Sequence, residues 1–170
     1  MAFRLGQKGK IRKIIFPSIL TSDNTHTTLM IQADFLTYVA DSSIVEVLKQ
    51  LSDVQLIEET VPNYIERYVG KVDLVTRYKG IPHIIEWTTS EEPKLRVEKL
   101  YDKPLQLAAY SGATNRYYGY HLFGRKINHA TIVVALPGEE AEIFEFDRVK
   151  LIHHWKKWDS RLKRFYGLTA

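Results

Sequence analysis

The sequence has no cysteine among its 170 residues. This absence excludes disulfides and thiolate metal sites, and it is typical of an intracellular protein. No apolar run approaches the roughly 20 residues that a membrane-spanning helix needs, so we expect no membrane partner. Acidic residues are missing from positions 1–22, where five residues are basic. This stretch is compatible with an ordinary basic terminus, a nucleic-acid-binding arm or an organelle-targeting segment.

What is present is the composition of an ordinary soluble domain. Hydrophobic residues make up 45% and charged residues 26% of the chain, and its length fits one domain with a real core. The net charge of +4 is compatible with a polyanionic partner without establishing one.

A β-hairpin is predicted in the middle of the chain. Residues 68–78 and 82–88 are rich in β-branched and aromatic residues, and Lys79-Gly80 lies between them. With a two-residue turn, the numbers of opposed residues add up to 159, so Asp73 faces Glu86 at a Cβ separation of roughly 5 Å. Such a pair is a site for Mg²⁺, which prefers oxygen ligands, or an incidental acidic pair on a solvated hairpin.

The same stretch resembles a known family. GKVDLVTRYKGIPHIIEWTTSEEPK, followed by LYDKPLQLAAYSGATN, is similar to the PD-(D/E)XK nucleases of the RecB-type branch. Within that branch the likeness is to the mitochondrial genome maintenance exonucleases and their bacterial and phage relatives. The resemblance covers residues 54–166 and implies a restriction-endonuclease-like core, an α/β fold with a mixed central sheet flanked by helices.

The resemblance also implies an activity and a set of site residues. The activity is a metal-dependent hydrolysis of DNA, with single-stranded ends favoured and Mg²⁺ or Mn²⁺ as the cofactor. Asp73, Glu86 and the Trp87 carbonyl would hold the metal. Gln106 and Tyr110, four residues apart on one helix face, would contact the DNA backbone or the metal-bound water, unless the Gln is merely solvated and the Tyr half-buried.

The third signature position departs from this pattern. A lysine is usual there, and this sequence has Thr88, which carries no positive charge. The register places Lys71 opposite Thr88 on the face of the two acids, so Lys71 is a candidate replacement. Three interpretations stay open: an active exonuclease, a nuclease fold that binds DNA without cutting it, and a structural subunit of a larger repair or packaging assembly.

Two further segments are candidates for the site. Glu58 matches an acid that precedes the family's hairpin, and it is either an additional metal ligand or an outward-facing carboxylate. Residues 116–126, RYYGYHLFGRK, interleave aromatic and basic side chains, including Arg116. This pattern is typical of single-strand binding by stacking, but Tyr-rich loops also pack on neighbouring elements.

The remaining patterns predict the order helix, three strands, helix, two strands, helix, in a single domain over residues 1–170. The first helix is predicted at residues 43–52, Pro62-Asn63 is predicted to form a turn into the hairpin, and Asp102 and Asp147 are predicted to cap the last two helices. The apolar stripe of the last helix, which ends at Phe165, is predicted to be core. Residues 43–166 form the core, and residues 1–40 are an extension in which the family's Gly…His element is not found; His26 is the only histidine there. We expect partners in DNA replication or repair, and a location in a bacterial or phage-infected cytoplasm or in the mitochondrial matrix.

Overall fold

A computed structural model describes residues 43–167, which form one β-sheet flanked by helices. The predicted α/β class is therefore confirmed. The strands are β1 (Leu51–Asn63), β2 (Tyr68–Tyr78), β3 (Ile81–Thr89), β4 (His129–Ala135) and β5 (Glu142–Phe146). The helices are α1 (residues 43–48), α2 (Lys103–Tyr117) and α3 (Arg148–Phe165), with a 3-10 turn at Val97–Leu100 before α2.

The five strands lie in the sheet in chain order. All neighbouring pairs are antiparallel except β3 and β4, which are parallel. A parallel pair needs a crossover connection, and α2 lies in the segment that provides it. The sheet is therefore mixed, as predicted, and α2 is held next to the strands that carry the two acids.

Each face of the sheet has its own apolar core. On one face, valines and isoleucines of the strands pack with α2 and α3, around the fully buried Ile84, Leu107 and Ile132. On the other face, Trp87 and Leu74 pack with residues of α1. Strand residues alternate between faces, and both faces are covered, which explains why β3 and β4 are buried along most of their length.

Several boundaries differ from the predictions. The first helix ends at residue 48 rather than 52, because β1 already begins at Leu51. Pro62 and Asn63 end β1 instead of forming a turn, and residues 64–67 make the turn into β2. Pairing with β2 extends the ladder to Asn63, so tertiary context overrides the local turn signal.

Of three predictions about the ends of the helices, one is confirmed and two are wrong. Asp147 caps α3 as predicted, since its side chain accepts a hydrogen bond from the Lys150 amide at 2.8 Å. Asp102 makes no such cap on α2, because its carboxylate pairs with Arg161 of α3 at 2.8 Å. Phe165, predicted as core, is 51% exposed at the end of α3.

Predictions made for positions 1–40, including the basic arm and His26, lie outside the described residues. Between residues 43 and 167, no helix is long and apolar enough to cross a membrane.

Candidate active site

The turn of the β2–β3 hairpin sets the register of the site. Lys79 and Gly80 both have positive φ, at 52° and 76°, as the first and second central residues of a type I′ turn require. The observed pairs run from Tyr78 opposite Ile81 to Leu74 opposite Ile85, and each pair adds up to 159. The predicted register is therefore the observed one.

The two acids lie at the next position, where the hairpin strands separate. Beyond Leu74 and Ile85, β2 pairs only with β1, and β3 pairs with β4. Asp73 spans the gap: its Oδ2 accepts a hydrogen bond from the Trp87 amide at 2.9 Å. The carboxylate thus joins the two strands where their backbone pairing has ended, and it stays beside Glu86.

Burial controls the charge of this pair. Glu86 is only 4% exposed, and burial together with the negative charge of Asp73 raises its pKa from 4.5 to about 8. Burial also raises the pKa of Asp73. The interaction between the two carboxyls favours a proton on Glu86 and a charge on Asp73. Without a bound cation, the surroundings of Glu86 therefore favour its protonated form more than those of an exposed glutamate do.

The first turns of α2 complete the site. Lys103 lies 2.9 Å from Glu86 Oε1 through its Nζ atom. Gln106 Nε2 donates to the same oxygen at 3.3 Å and to the Tyr110 hydroxyl at 2.6 Å. Residues three and seven positions after Lys103 share its side of the helix, so one helix face carries all three contacts.

Tyr110 approaches the strand closely because of Gly70. A Cβ atom at position 70 would clash with the Tyr110 ring, so the glycine makes room for it on β2. Burial raises the pKa of Tyr110 to about 12, so its hydroxyl stays protonated and keeps both donor and acceptor roles.

The structure brings some predicted residues together and leaves others apart. Asp73, Glu86, Gln106 and Tyr110 form one cluster with Trp87, which contributes its backbone amide. Arg116 is exposed at the far end of α2, about 15 Å along the helix from Gln106 at 1.5 Å per residue.

Lys71 and Glu58 engage each other. Lys71 Nζ lies 2.6 Å from Glu58 Oε2, and the two side chains are 57% and 36% exposed. Glu58 has a positive φ of 49° within β1, between Ile57 opposite Leu74 and Glu59 opposite Val72, and so at the position opposite Asp73. Its charge adds to the rise in the pKa of Asp73. Thr88 is half-buried, lies opposite Val134 of β4 and shares the face of Glu86.

The aromatic segment after α2 divides into two parts. Tyr118, Leu122 and Phe123 pack against the core, as a structural loop would. Tyr117 and Tyr120 are 49% and 62% exposed. The Tyr117 ring contacts Tyr64 of the β1–β2 turn, with ring centroids 6.2 Å apart, and this pair offers aromatic surface to solvent.

The sequence analysis missed two residues of this region. Lys103 could have been predicted from the sequence, because it lies three residues before Gln106 and therefore on the same helix face. Glu142 at the start of β5 accepts hydrogen bonds from the Lys94 and Leu95 amides, at 2.5 and 2.6 Å. It holds the loop after β3, and its distance of 48 residues from Lys94 left no local signal.

The carboxylate oxygens are ligands of the kind that a hard divalent cation prefers, although the protein supplies few of them. Among residues 43–167, no group of three or more His, Cys, Asp or Glu side chains is arranged to hold a metal ion. Two carboxylates are enough for Mg²⁺ or Mn²⁺ that keeps several waters. Glu86 Oε2 is buried without a hydrogen-bond partner, as expected of an oxygen available to a ligand.

Comparison with known proteins confirms the resemblance found in the sequence. The chain is 36% identical over 124 residues to "Mitochondrial genome maintenance exonuclease 1" of Mus musculus, covering 72% of this chain and 36% of that protein. The proteins of the same name from Xenopus tropicalis and Homo sapiens are 36% and 34% identical, over 73% and 72% of this chain. In both, 35% of the relative is covered. The chain thus spans about a third of the length of these curated relatives.

Other comparisons add little. No family model matches the chain. The solved structure titled "Crystal structure of SSO0001" aligns at 16% identity and a TM-score of 0.37, covering 76% of this chain and 58% of that one. This likeness is too weak to inform fold or function.

Proposed function

We propose that this chain, which resembles proteins named as genome maintenance exonucleases over 72% of its length, is a metal-dependent nuclease that hydrolyses DNA from its ends. The observation that carries the proposal is the pair of adjacent carboxylates, the half-buried Asp73 and the buried Glu86, at the point where two strands separate. Isolated buried acids are costly, and a cation is the usual compensation.

The reaction would be hydrolysis of a phosphodiester. A water oxygen bonds to phosphorus, the bond from phosphorus to the leaving sugar oxygen breaks, and a proton ends on that leaving oxygen. A divalent cation held by Asp73 and Glu86, with Trp87 and Glu58 as further candidate ligands, would supply an activated water and stabilise charge on the phosphate.

The other residues have positioning tasks. Gln106 and Tyr110 are joined by a hydrogen bond of 2.6 Å, and the amide also reaches Glu86. Together they fix the orientation of the Glu86 carboxylate and present a neutral hydroxyl and an amide beside it. Both hydrogens of the Gln106 amide are used in these two bonds, whereas the Tyr110 hydroxyl accepts from Gln106 and can donate its own proton to a phosphate oxygen. Such a contact positions a strand without reading its sequence.

Single-stranded ends are the preferred substrate in this proposal. Support comes from the exposed pair Tyr64 and Tyr117, since stacking of bases on aromatic rings holds unpaired strands. The activity would serve DNA replication or repair inside the cell, in a bacterial or phage-infected cytoplasm or in the mitochondrial matrix that the relatives' name suggests.

A second candidate function is a DNA-binding module without chemistry. The observation that favours it is Thr88, which offers no positive charge where the resemblance expects a lysine. Strand binding in the presence of Mg²⁺ or Mn²⁺, with no cleavage by this protein and a gain of cleavage in Thr88→Lys, would support this alternative.

The test is cleavage of an end-labelled single strand with Mg²⁺ or Mn²⁺. We expect Asp73→Asn to lower the rate by about 100-fold or more, the scale for removing a group that stabilises transition-state charge. Asparagine keeps an oxygen that can accept from the Trp87 amide, so the fold should persist. Asp159→Asn is the matched control, because it loses only the i,i+4 pair with Lys163 on α3. Equal cleavage by parent and Asp73→Asn would refute the proposed site.

A further inference from the structure

Lys103 places a positive charge at the carboxylate pair from outside the hairpin. Its Nζ lies 2.9 Å from Glu86 Oε1; the Lys103 side chain is 32% exposed and that of Glu86 only 5%. The ammonium that contacts the buried Glu86 therefore belongs to a side chain that reaches solvent.

No other cation within the described part of the chain is as close to the pair. Between residues 43 and 167, Lys103 is the one basic side chain within ion-pair distance of Asp73 or Glu86. Lys71, the replacement expected from the register, pairs with Glu58 instead. Thr88 lies two residues after Glu86 on the same face and carries no charge.

The contacts of Glu86 leave room for a cation and an ammonium together. Lys103 and Gln106 both contact Oε1, whereas Oε2 is buried with no hydrogen-bond partner. One oxygen is thus held from α2, and the other is buried without a polar partner. Lys103 and a divalent cation do not need the same oxygen.

We propose that Lys103 supplies from α2 the positive charge at the scissile phosphate that a lysine at position 88 would supply from β3. This inference rests on the proposed nuclease function. As the water oxygen bonds to phosphorus and the bond to the leaving sugar oxygen breaks, negative charge grows on the phosphate oxygens. The ammonium stabilises that charge and keeps its own protons, so the step balances without proton transfer from Lys103.

The competing explanation is structural: Lys103 would only neutralise Glu86. The two explanations differ in what a second lysine can do. A charge moved from position 103 to position 88 can still reach a phosphate at this face, but it does not restore the ion pair from α2.

The experiment compares single-turnover cleavage of an end-labelled single strand with Mn²⁺. The variants are Lys103→Gln, Lys103→Arg, and Lys103→Gln combined with Thr88→Lys. Lys99→Gln is the matched control, because it removes the same charge from an exposed site four residues earlier. Thermal unfolding of each variant checks that the fold is intact.

We expect Lys103→Gln to cleave about 100-fold more slowly than the parent. Lys103→Arg should lose less of the cleavage rate than Lys103→Gln. Adding Thr88→Lys to Lys103→Gln should raise the rate at least tenfold, and Lys99→Gln should cleave at the rate of the parent. Cleavage by Lys103→Gln within threefold of the parent would overturn the inference, and so would a loss in Lys103→Gln that Thr88→Lys does not repair.

A binding readout separates this inference from the nuclease proposal. In Ca²⁺, fluorescence anisotropy compares a normal strand with strands carrying one uncharged methylphosphonate at the linkages nearest each end. If Lys103 meets a phosphate, the parent should prefer the charged linkage and Lys103→Gln should lose that preference. If the parent shows this preference, Lys103→Gln loses it and the parent does not cleave DNA, the nuclease proposal is refuted, but the contact between Lys103 and a phosphate is supported. Equal preference in parent and variant would overturn the inference.

Discussion

Glu86 is the one acidic residue among positions 43–167 that is buried, and its surroundings act on its charge in opposite directions. Burial and the neighbouring Asp73 favour the protonated acid, while Lys103 favours the carboxylate. The first two effects prevail and raise the pKa to about 8. A divalent cation would reverse the balance, since metal binding requires deprotonated ligands and releases protons.

This balance predicts how stability depends on pH in protein freed of metal with a chelator. The pKa of Glu86 is higher in the folded than in the unfolded chain, so its contribution to stability is complete below pH 4.5 and is lost as pH rises through about 8. The free energy of unfolding should fall over this range by on the order of a few kcal/mol. Urea unfolding followed by tryptophan fluorescence between pH 5 and pH 8 measures it.

Glu86→Gln is the comparison, because glutamine has nearly the same shape and does not titrate. Its unfolding free energy should vary much less with pH over the same range. Added Mn²⁺ should stabilise the parent increasingly as pH rises, and it should have little effect on the variant. If the unfolding free energy of the parent varies as little with pH as that of Glu86→Gln, the raised pKa of Glu86 is contradicted.

At the scale of elements, the site depends on how closely α2 packs on α3. Gly112 of α2 faces Trp155 of α3: an added Cβ would come within 3.0 Å of Trp155 Cε3 and closer still to Cζ3. We expect Gly112→Ala to destabilise the protein by about 1–3 kcal/mol, the usual cost of overpacking, despite the better helix propensity of alanine.

A double-mutant cycle tests the cause of that loss. Trp155→Phe removes part of the indole that the new methyl group would meet, so the combined variant should lose less stability than the two single changes added together. Chemical unfolding of all four proteins gives the coupling energy. Additive losses would mean that Gly112 is needed for some reason other than the contact with Trp155.

The elements also show what can be read from a sequence. The hairpin register was predictable, because a two-residue turn containing glycine determines every later pair, and the observed pairs agree. The alternation of β5 and the continuous apolar run of β4 were equally local signals. The Asp147 cap was predictable for the same reason.

Contacts between distant parts of the chain could not be predicted in this way. Asp102 is drawn from its expected cap to Arg161, which is 59 positions away, and Glu142 is drawn to the loop after β3. Glu58, which has a positive φ, pairs with Lys71 of the next strand, and no periodic pattern in the sequence predicts this contact. These outcomes depend on which side chains meet after the sheet has formed.

At the scale of the whole molecule, the net charge of +4 should make strand binding sensitive to salt. Each phosphate neutralised by a lysine or arginine releases condensed counterions, so the logarithm of affinity falls linearly with the logarithm of salt concentration, with a slope of about −0.7 per contact for single strands. We expect a clearly negative slope when anisotropy is measured in Ca²⁺ between 50 and 200 mM salt.

Lys103→Gln should reduce the steepness of that slope by the contribution of about one phosphate contact. Lys99→Gln, the control, should leave the slope unchanged. Affinity that does not vary with salt would count against a nucleic-acid backbone as the ligand.

The carboxylates and their partners on α2 all lie between Asp73 and Tyr110, in the middle of the chain. Because the ribosome delivers the chain from its N-terminus, this stretch emerges before β4, β5 and α3. The turn that brings the two acids together is only two residues long, so the entropy cost of closing it is small. We expect the acids to come together while still hydrated, and the last step of maturation to be the removal of water from a charged cluster that is already assembled.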